Sequence, residues 1–440
     1  MKAAELIEEI KELSPYKKLG KVTKVVGLTI ESRGPHTSVG DLCKIHVSKA
    51  KEPVLAEVVG FKEKSVLLMP LTTTKNISPG CLVESTRKPL EIKAGRGLIG
   101  EVLDGCGQLL SGRELPKGLS SIPTEQDPPN PLQRPRITEP LSLGVKAIDG
   151  LLTVGKGQRV GVFAGSGVGK STLLAMITKN SEADVNVIAL IGERGREVKD
   201  FIERDLGEEG LKKSVIVAAT SDQPALMRIK GAMTATAIAE YFRSQGLHVN
   251  LLMDSVTRFA MAQREVGLAI GEPPTTKGYT PSVFAMLPRL LERAGTDERG
   301  SITAFYTVLV DGDDMNEPIA DAVRGILDGH MVLDRELANK GHYPAIHVLK
   351  SISRVMGDIT HSTHQESAEN LRYLLSTYYD SEDLINIGAY KKGSSSHIDE
   401  AIDAYPDILT FLQQRTDEKY TYEEIIKALQ KRFEGGGVQA

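Results

Sequence analysis

The chain has 440 residues, of which 40% are hydrophobic and 25% charged, with a formal net charge of −4. That length accommodates about two to four domains with a sizeable core, and the charge excludes a protein that binds polyanions over its whole surface. Three cysteines, Cys43, Cys81 and Cys106, lack CxxC spacing, which argues against a disulfide framework or zinc site and for a reducing compartment.

Residues Ala3 to Leu13 carry apolar side chains at Ala3, Leu6, Ile7, Ile10 and Leu13. This spacing predicts an amphipathic helix that either packs on its own domain or serves as a partner-binding arm. The charges of Glu5, Glu8, Glu9, Lys11 and Glu12 leave no apolar region for a signal peptide. No apolar run reaches the ~20 residues of a membrane span. These features predict a cytoplasmic protein.

From Leu19 to about Arg87, short β-rich runs (Lys21 to Ile30, Leu42 to Val47, Val54 to Phe61, Ser65 to Met69) alternate with turn clusters, which predicts a small β-barrel. Prolines at 123, 128, 129, 131, 135 and 140 then read as a surface connector. Between Gln158 and about Val310, the runs Arg159 to Phe163, Val185 to Ile191, Val215 to Ala219, Val249 to Met253 and Ile302 to Leu309 alternate with helical stretches. Such nearly continuous apolar runs predict strands buried on both faces of a parallel sheet. The last ~90 residues have helical periodicity. Thr421 and Glu424 have capping-box spacing there.

The segment Ala164-Gly165-Ser166-Gly167-Val168-Gly169-Lys170-Ser171 follows a predicted strand and opens a predicted helix from Thr172 to Lys179. It matches a phosphate loop apart from Ala164 at its first position. The glycines let backbone N–H groups cradle phosphates, and the helix N-terminus adds its dipole. Lys170 is expected at the β- and γ-phosphates of ATP and the Ser171 hydroxyl on Mg2+. Asp254 ends an apolar strand from His248, where an acid can hold the same magnesium through a water. The strand Val185 to Ile191 runs into Gly192-Glu193-Arg194-Gly195-Arg196-Glu197. Glu193 is then placed to polarise an attacking water and Arg194 to neutralise the γ-phosphate. A surface cluster of mutual ion pairs is the bland alternative.

These motifs, with Pro344-Ala-Ile-His-Val-Leu-Lys-Ser-Ile-Ser353 and Arg354, resemble the catalytic subunits of rotary ATP synthases. Ser221 to Gly231, Ala269 to Tyr279 and Leu384 to Tyr390 narrow the resemblance to the flagellar type III export ATPases, over almost the whole chain. The injectisome secretion ATPases are close relatives. The resemblance implies an α/β P-loop (RecA-like) core with an N-terminal six-stranded-type β-barrel and a C-terminal helical domain. The layout it suggests is a partner-binding helix (1–18), barrel (19–88), nucleotide-binding domain (89–345) and mainly helical domain (346–440).

The same resemblance makes Glu193 the catalytic glutamate, Arg194 the γ-phosphate arginine, Tyr343 the tyrosine that stacks on adenine, and Arg354 an arginine finger reaching the neighbouring subunit's site. Read alone, Tyr343 is a core tyrosine before a turn and Arg354 a surface cation. One chain carrying both halves of the site implies a homo-hexamer, since identical copies can close a head-to-tail ring. The implied partners are a stator-like regulator at the N-terminal helix, a central stalk-like protein, membrane proteins of the export gate, and export chaperones with their cargo. They place the chain at the inner face of the membrane. The Gly271 to Tyr279 loop is expected to line the ring's channel.

One departure is Asp104 to Ser111, where Leu109 and Ser111 replace the family's usual Pro and Asp. The competing readings are an injectisome ATPase, a ring-shaped RNA helicase, a rotary synthase subunit and a non-enzymatic scaffold. The helicase needs stacking aromatics in its barrel, and residues 19 to 87 hold only Phe61, so no nucleic-acid partner is expected.

Overall fold

The computed structural model describes residues 18–47, 52–72, 76–310, 312 and 314–433. The expected helix from Ala3 to Leu13 lies outside the described residues.

Six strands open the chain: β1 (Gly20–Val26), β2 (Thr29–Arg33), β3 (Leu42–His46), β4 (Val54–Lys62), β5 (Ser65–Pro70) and β6 (Leu82–Ser85). They close into a barrel in the order β1-β2-β5-β4-β3-β6, with β6 pairing back onto β1. Alternating side chains fill its interior, among them Ile30, Ile45, Val58, Leu68 and Val83, all fully buried. The run Lys21 to Ile30 is not one strand. Gly27 takes a left-handed φ of 56° and turns it into the β1–β2 hairpin.

Three short strands follow: β7 (Glu91–Ala94), β8 (Val102–Leu103) and β9 (Ser120–Pro123), with β7 and β9 paired. The large sheet contains β8, β10 (Arg159–Ala164), β11 (Val185–Ile191), β12 (Ser214–Ala219), β13 (His248–Asp254), β14 (Gly295–Thr296), β15 (Ser301–Leu309), β16 (Gly329–Leu333) and β17 (Ile352–Ser353). Its order is β17-β16-β10-β15-β13-β11-β12-β8, with β14 off the path on β15. The strands from β16 to β8 run parallel, and β17 and β14 are antiparallel additions. Two cores cover the two faces. In β11, Val187, Ala189 and Ile191 join the core under the helices Ala225–Ser244, Val256–Ile270 and Pro281–Leu291. Ile188 and Leu190 join the core under Lys170–Asn180 and the C-terminal helices. Burial on both faces is why these strands have few polar residues.

The proline-rich connector is pinned to this core. The Arg134 guanidinium donates to the Ala294 carbonyl at 2.8 Å and to that of Glu292. The C-terminal helices Ser362–Asn386, Ser396–Leu412 and Tyr422–Phe433 pack beside the phosphate-loop helix. The last begins with a reciprocal cap: Thr421 N–H donates to Glu424 Oε2 at 2.8 Å, and Glu424 N–H to Thr421 Oγ1 at 3.3 Å. Among the described residues, no helix is long and apolar enough to cross a membrane.

Candidate active site

All parallel strands of the sheet end on one edge, and the loops leaving that edge form the site. The loop after β10 turns at Gly167 (φ 79°) and Gly169 (φ 88°) and enters the helix Lys170–Asn180. Val168 is buried and anchors the loop in the core, while Ser166 stays exposed. Ala164 and Gly165 are buried, Ser171 is half-buried in the first helical turn, and Thr172 is exposed. The loop's first residue is part of β10, so Ala164 packs as a strand residue.

Two carboxylates converge on Lys170. Its Nζ lies 2.5 Å from Asp254 Oδ1 and 3.7 Å from Glu193 Oε1. Burial lowers the affinity of the ammonium for its proton, but the charges of Asp254 and Glu193 outweigh it and hold Lys170 above its ordinary value. Glu193 shows the opposite balance. Burial and the neighbouring Asp254 charge push it up to about 7 against the pull of Lys170.

The sheet register explains the convergence. The strand β15 lies between β10 and β13, with Val162 opposite Thr307 and Met253 opposite Tyr306. Thr307 therefore reaches the end of β13, and its hydroxyl donates to Asp254 Oδ1 at 2.8 Å. Glu193 follows β11, and its carbonyl accepts from Ser221 N–H at 2.9 Å in the loop after β12.

Arg258 was not singled out from the sequence. It stands on the first turn of the helix Val256–Ile270, which Ser255 caps by accepting from Arg258 N–H at 3.3 Å. Its side chain crosses Gly192, where a Cβ would sit 2.8 Å from Arg258 Cβ and the φ is 73°. Its Nε is buried and has no hydrogen-bond partner among the described residues. The sequence offers only its position four residues after Asp254, in the first turn of the helix that follows β13.

Two adjoining cavities share the loop. One of about 530 Å³ is lined by the phosphate loop, Glu193, Arg194, Glu197 and Arg258. The other, of about 1040 Å³, is lined by Leu173, Met176, Tyr343, Pro344 and Tyr420. Gly167, Gly169 and Thr172 belong to both. Gly169 has a φ of 88°, which favours glycine, and a Cβ there would lie 3.3 Å from the Tyr343 ring, where the two cavities meet. The polar compartment suits a phosphate chain, and the aromatic one suits a base. The donor set at Ser171 and Asp254 is all oxygen. That fits a magnesium ion, which takes one or two protein ligands and completes its shell with phosphate oxygens and water.

Arg194 and Arg354 stand apart from this convergence. Arg194 is 81% exposed on the rim and pairs with Glu197 at 3.4 Å. Arg354 follows β17 on the opposite edge of the sheet. Ser353 pairs with Gly329, which pairs with Val160 near the start of β10, whereas the phosphate loop follows Ala164 at its end. Arg354 is exposed, and its N–H donates to the Asp328 carbonyl at 3.0 Å.

The family models match in the same order as the fold. Residues 22–87 match the β-barrel domain of the ATP synthase alpha/beta family, residues 144–353 its nucleotide-binding domain, and residues 360–431 the T3SS EscN ATPase C-terminal domain. The chain is 65% identical to a flagellum-specific ATP synthase of Bacillus subtilis, covering 98% of both proteins. The chain belongs to the ATP synthase alpha/beta family. Within it, the chain groups with the flagellum-specific and type 3 secretion ATPases. It is 49% identical to a type 3 secretion system ATPase of Xanthomonas euvesicatoria, covering 96% of each. Among solved structures, the assembled ATPase EscN of enteropathogenic E. coli superposes with a TM-score of 0.89 at 47% identity, over 94% of this chain and 100% of that one. EscN in complex with its central stalk EscO gives 0.87 at 46% identity, with the same coverage.

Proposed function

We propose that this ATPase hydrolyses magnesium-bound ATP in sites completed by a neighbouring copy of the same chain, and that the cycle drives export of flagellar proteins through a type III apparatus. The carrying observation is that Glu193 and Asp254, from two different strand ends, both reach the ammonium of the phosphate-loop lysine.

In this reading the loop amides from Gly165 to Thr172 hold the phosphate chain, and Lys170 bridges the β- and γ-phosphates. Glu193, in its ionised form, takes a proton from a water whose oxygen bonds to the γ-phosphorus. The bond from that phosphorus to the β–γ bridging oxygen breaks, and ADP leaves with the electron pair. Arg194 and Arg258, together with Arg354 from the neighbouring copy, spread the charge on the transferring group. Ser171 and Asp254 would hold magnesium, which when bound offsets charge on the phosphate oxygens. Tyr343 stacks on the adenine.

The coupled work is release of substrates from chaperones and their unfolding at the export gate. The 65% identity with a flagellar homologue, against 49% with a type 3 secretion ATPase, favours flagellar over injectisome cargo. The working assembly is a homo-hexamer in the cytoplasm at the inner face of the membrane, with a stator-like regulator on residues 1–18. The solved complex of EscN with its central stalk supports an equivalent stalk partner here.

Glu193→Gln tests the reading directly. A general base contributes about 10²- to 10⁴-fold, so kcat of the assembled ring should fall by at least about 10²-fold while equilibrium ATP binding persists. Turnover near the parental rate in the Gln variant would remove Glu193 from the chemistry.

A further inference from the structure

Tyr343 borders the phosphate loop just before residues 345–347, which bond to the end of β16, but its own backbone carbonyl bonds outside the sheet. Its carbonyl accepts from Gln414 N–H at 3.0 Å, across the boundary between the nucleotide-binding core and the C-terminal helices. Gln414 is 5% exposed, and both ends of its side-chain amide are hydrogen-bonded. Oε1 accepts from Lys146 N–H at 2.9 Å, and Nε2 donates to the Gly144 carbonyl at 2.8 Å and to that of Glu418 at 3.1 Å. One residue after the helix Ser396–Leu412 and its Gln413 cap thus ties three segments together: Tyr343, residues 144–146, and the turn from Arg415 to Tyr420.

The segment at Gly144 is itself wedged against the phosphate-loop helix. Gly144 has a φ of 64°, and a Cβ there would lie 2.8 Å from Asn180 Cβ and 3.3 Å from the Tyr420 carbonyl. Lys146 supplies a second tie, donating to the Thr410 carbonyl at 3.1 Å with its ammonium 5.3 Å from the Tyr420 ring centre. The two walls of the larger cavity therefore belong to different parts of the chain. Leu173 and Met176 come from the phosphate-loop helix, and Thr410 to Tyr420 from the C-terminal region.

We infer that Gln414 is a positioning residue for nucleotide binding: its side-chain amide fixes the C-terminal wall beside the base, and with it the backbone N–H that holds the Tyr343 carbonyl, without itself taking part in phosphoryl transfer. The inference rests on the reading of Tyr343 as the base-stacking residue. All three side-chain bonds of Gln414 go to backbone groups, so it is a clasp and not a reader of the base. Removing the side-chain amide takes a partner from the Lys146 N–H and the Gly144 carbonyl, and the C-terminal wall whose backbone N–H holds the Tyr343 carbonyl loosens.

The test is a double-mutant cycle on the full chain with Gln414→Met and Tyr343→Ala, read with ATP and with inorganic tripolyphosphate, which lacks a base. Gln414→Met should raise KM for ATP about tenfold, change kcat by less than about twofold, and leave the inhibition constant of tripolyphosphate unchanged. In the Tyr343→Ala background, Gln414→Met should add little, because both changes remove the same stacked contact. Should Gln414→Met fail to fold, Gln414→Glu carries the same cycle, keeping the acceptor toward Lys146 and losing the donor toward Gly144. Equal weakening of ATP and tripolyphosphate, an unchanged KM for ATP, or independent effects at the two positions would overturn the clasp. A parental chain that binds ATP and tripolyphosphate while positions 343 and 414 remain uncoupled rejects the clasp and leaves the ATPase reading intact. A parental chain that binds neither rejects both.

Discussion

Glu193 is 16% exposed and faces Asp254 across the ammonium of Lys170. Burial, then the Asp254 charge, raises it to about 7. A general base works only when ionised, so the sign follows directly. Below pH 7 the carboxyl holds its proton and cannot accept one from water, and above it the carboxylate is available. The acidic limb of kcat/KM should therefore lie near neutrality, well above the range of an ordinary glutamate. Measuring kcat/KM from pH 5 to 9, with stability controls at each pH, checks this. A limb that stays near pH 4.5 would mean that the proton-accepting group is another one. Arg258 belongs to the same scale. Its buried Nε, without a hydrogen-bond partner among the described residues, sits beside Gly192, directly before Glu193, where an incoming anion can satisfy it.

At the scale of elements, the helix Ala225–Ser244 joins the barrel to the catalytic edge. Lys230 on this helix is 2% exposed, 2.6 Å from Glu57 of β4 and 2.7 Å from Glu125 of the connector. The loop that precedes the helix contains Ser221, bonded to the Glu193 carbonyl. Burial raises the affinity of Glu57 for its proton, and Lys230 opposes that shift. Lys230→Met would leave Glu57 buried without its cation and should destabilise the chain by about 3–5 kcal/mol, whereas the double change Lys230→Met with Glu57→Met should recover most of that loss. Chemical denaturation of the three chains checks the prediction, and equal losses in the single and double variants would refute it. Elements of this kind were only partly legible in the sequence. The strands β10, β11, β12, β13 and β15 were visible because burial on both faces leaves long apolar runs. β8 and β17 span two residues each, and such short strands leave no periodic signal. Nothing local marks Lys230 as a buried cation, since its partners lie 105 or more positions away and only the folded topology brings them together. Among the site residues, the phosphate loop was legible as a local motif. Arg258 was not, because its relation to Gly192 runs between two strands.

At the scale of the molecule, the positions of Lys170 and Arg354 bear on how many chains the proposed active site needs. Four strand steps separate Val160 from Ala164 on β10, and Arg354 follows the strand pair at the Val160 end. At about 3.3 Å per residue, the two edges are on the order of 13 Å apart before any side chain is counted. A finger reaching the phosphates of its own chain would have to pass the packed sheet, whereas a head-to-tail neighbour can present the same exposed arginine from outside. This gives the proposed ring a signature that no single variant provides. Glu193→Gln chains keep Arg354, and Arg354→Ala chains keep Glu193, so each is inactive in a homogeneous ring. When equal amounts are mixed and allowed to reassemble, a site is intact wherever the catalytic edge of an Arg354→Ala chain meets the finger of a Glu193→Gln chain. Random order makes that roughly one interface in four. The mixed rings should therefore recover about one quarter of the parental turnover per site, with further reduction if successive sites must fire in turn. If Arg354 acted within its own chain, no chain in the mixture would hold a complete set of groups. The mixture would then remain as inactive as its parts.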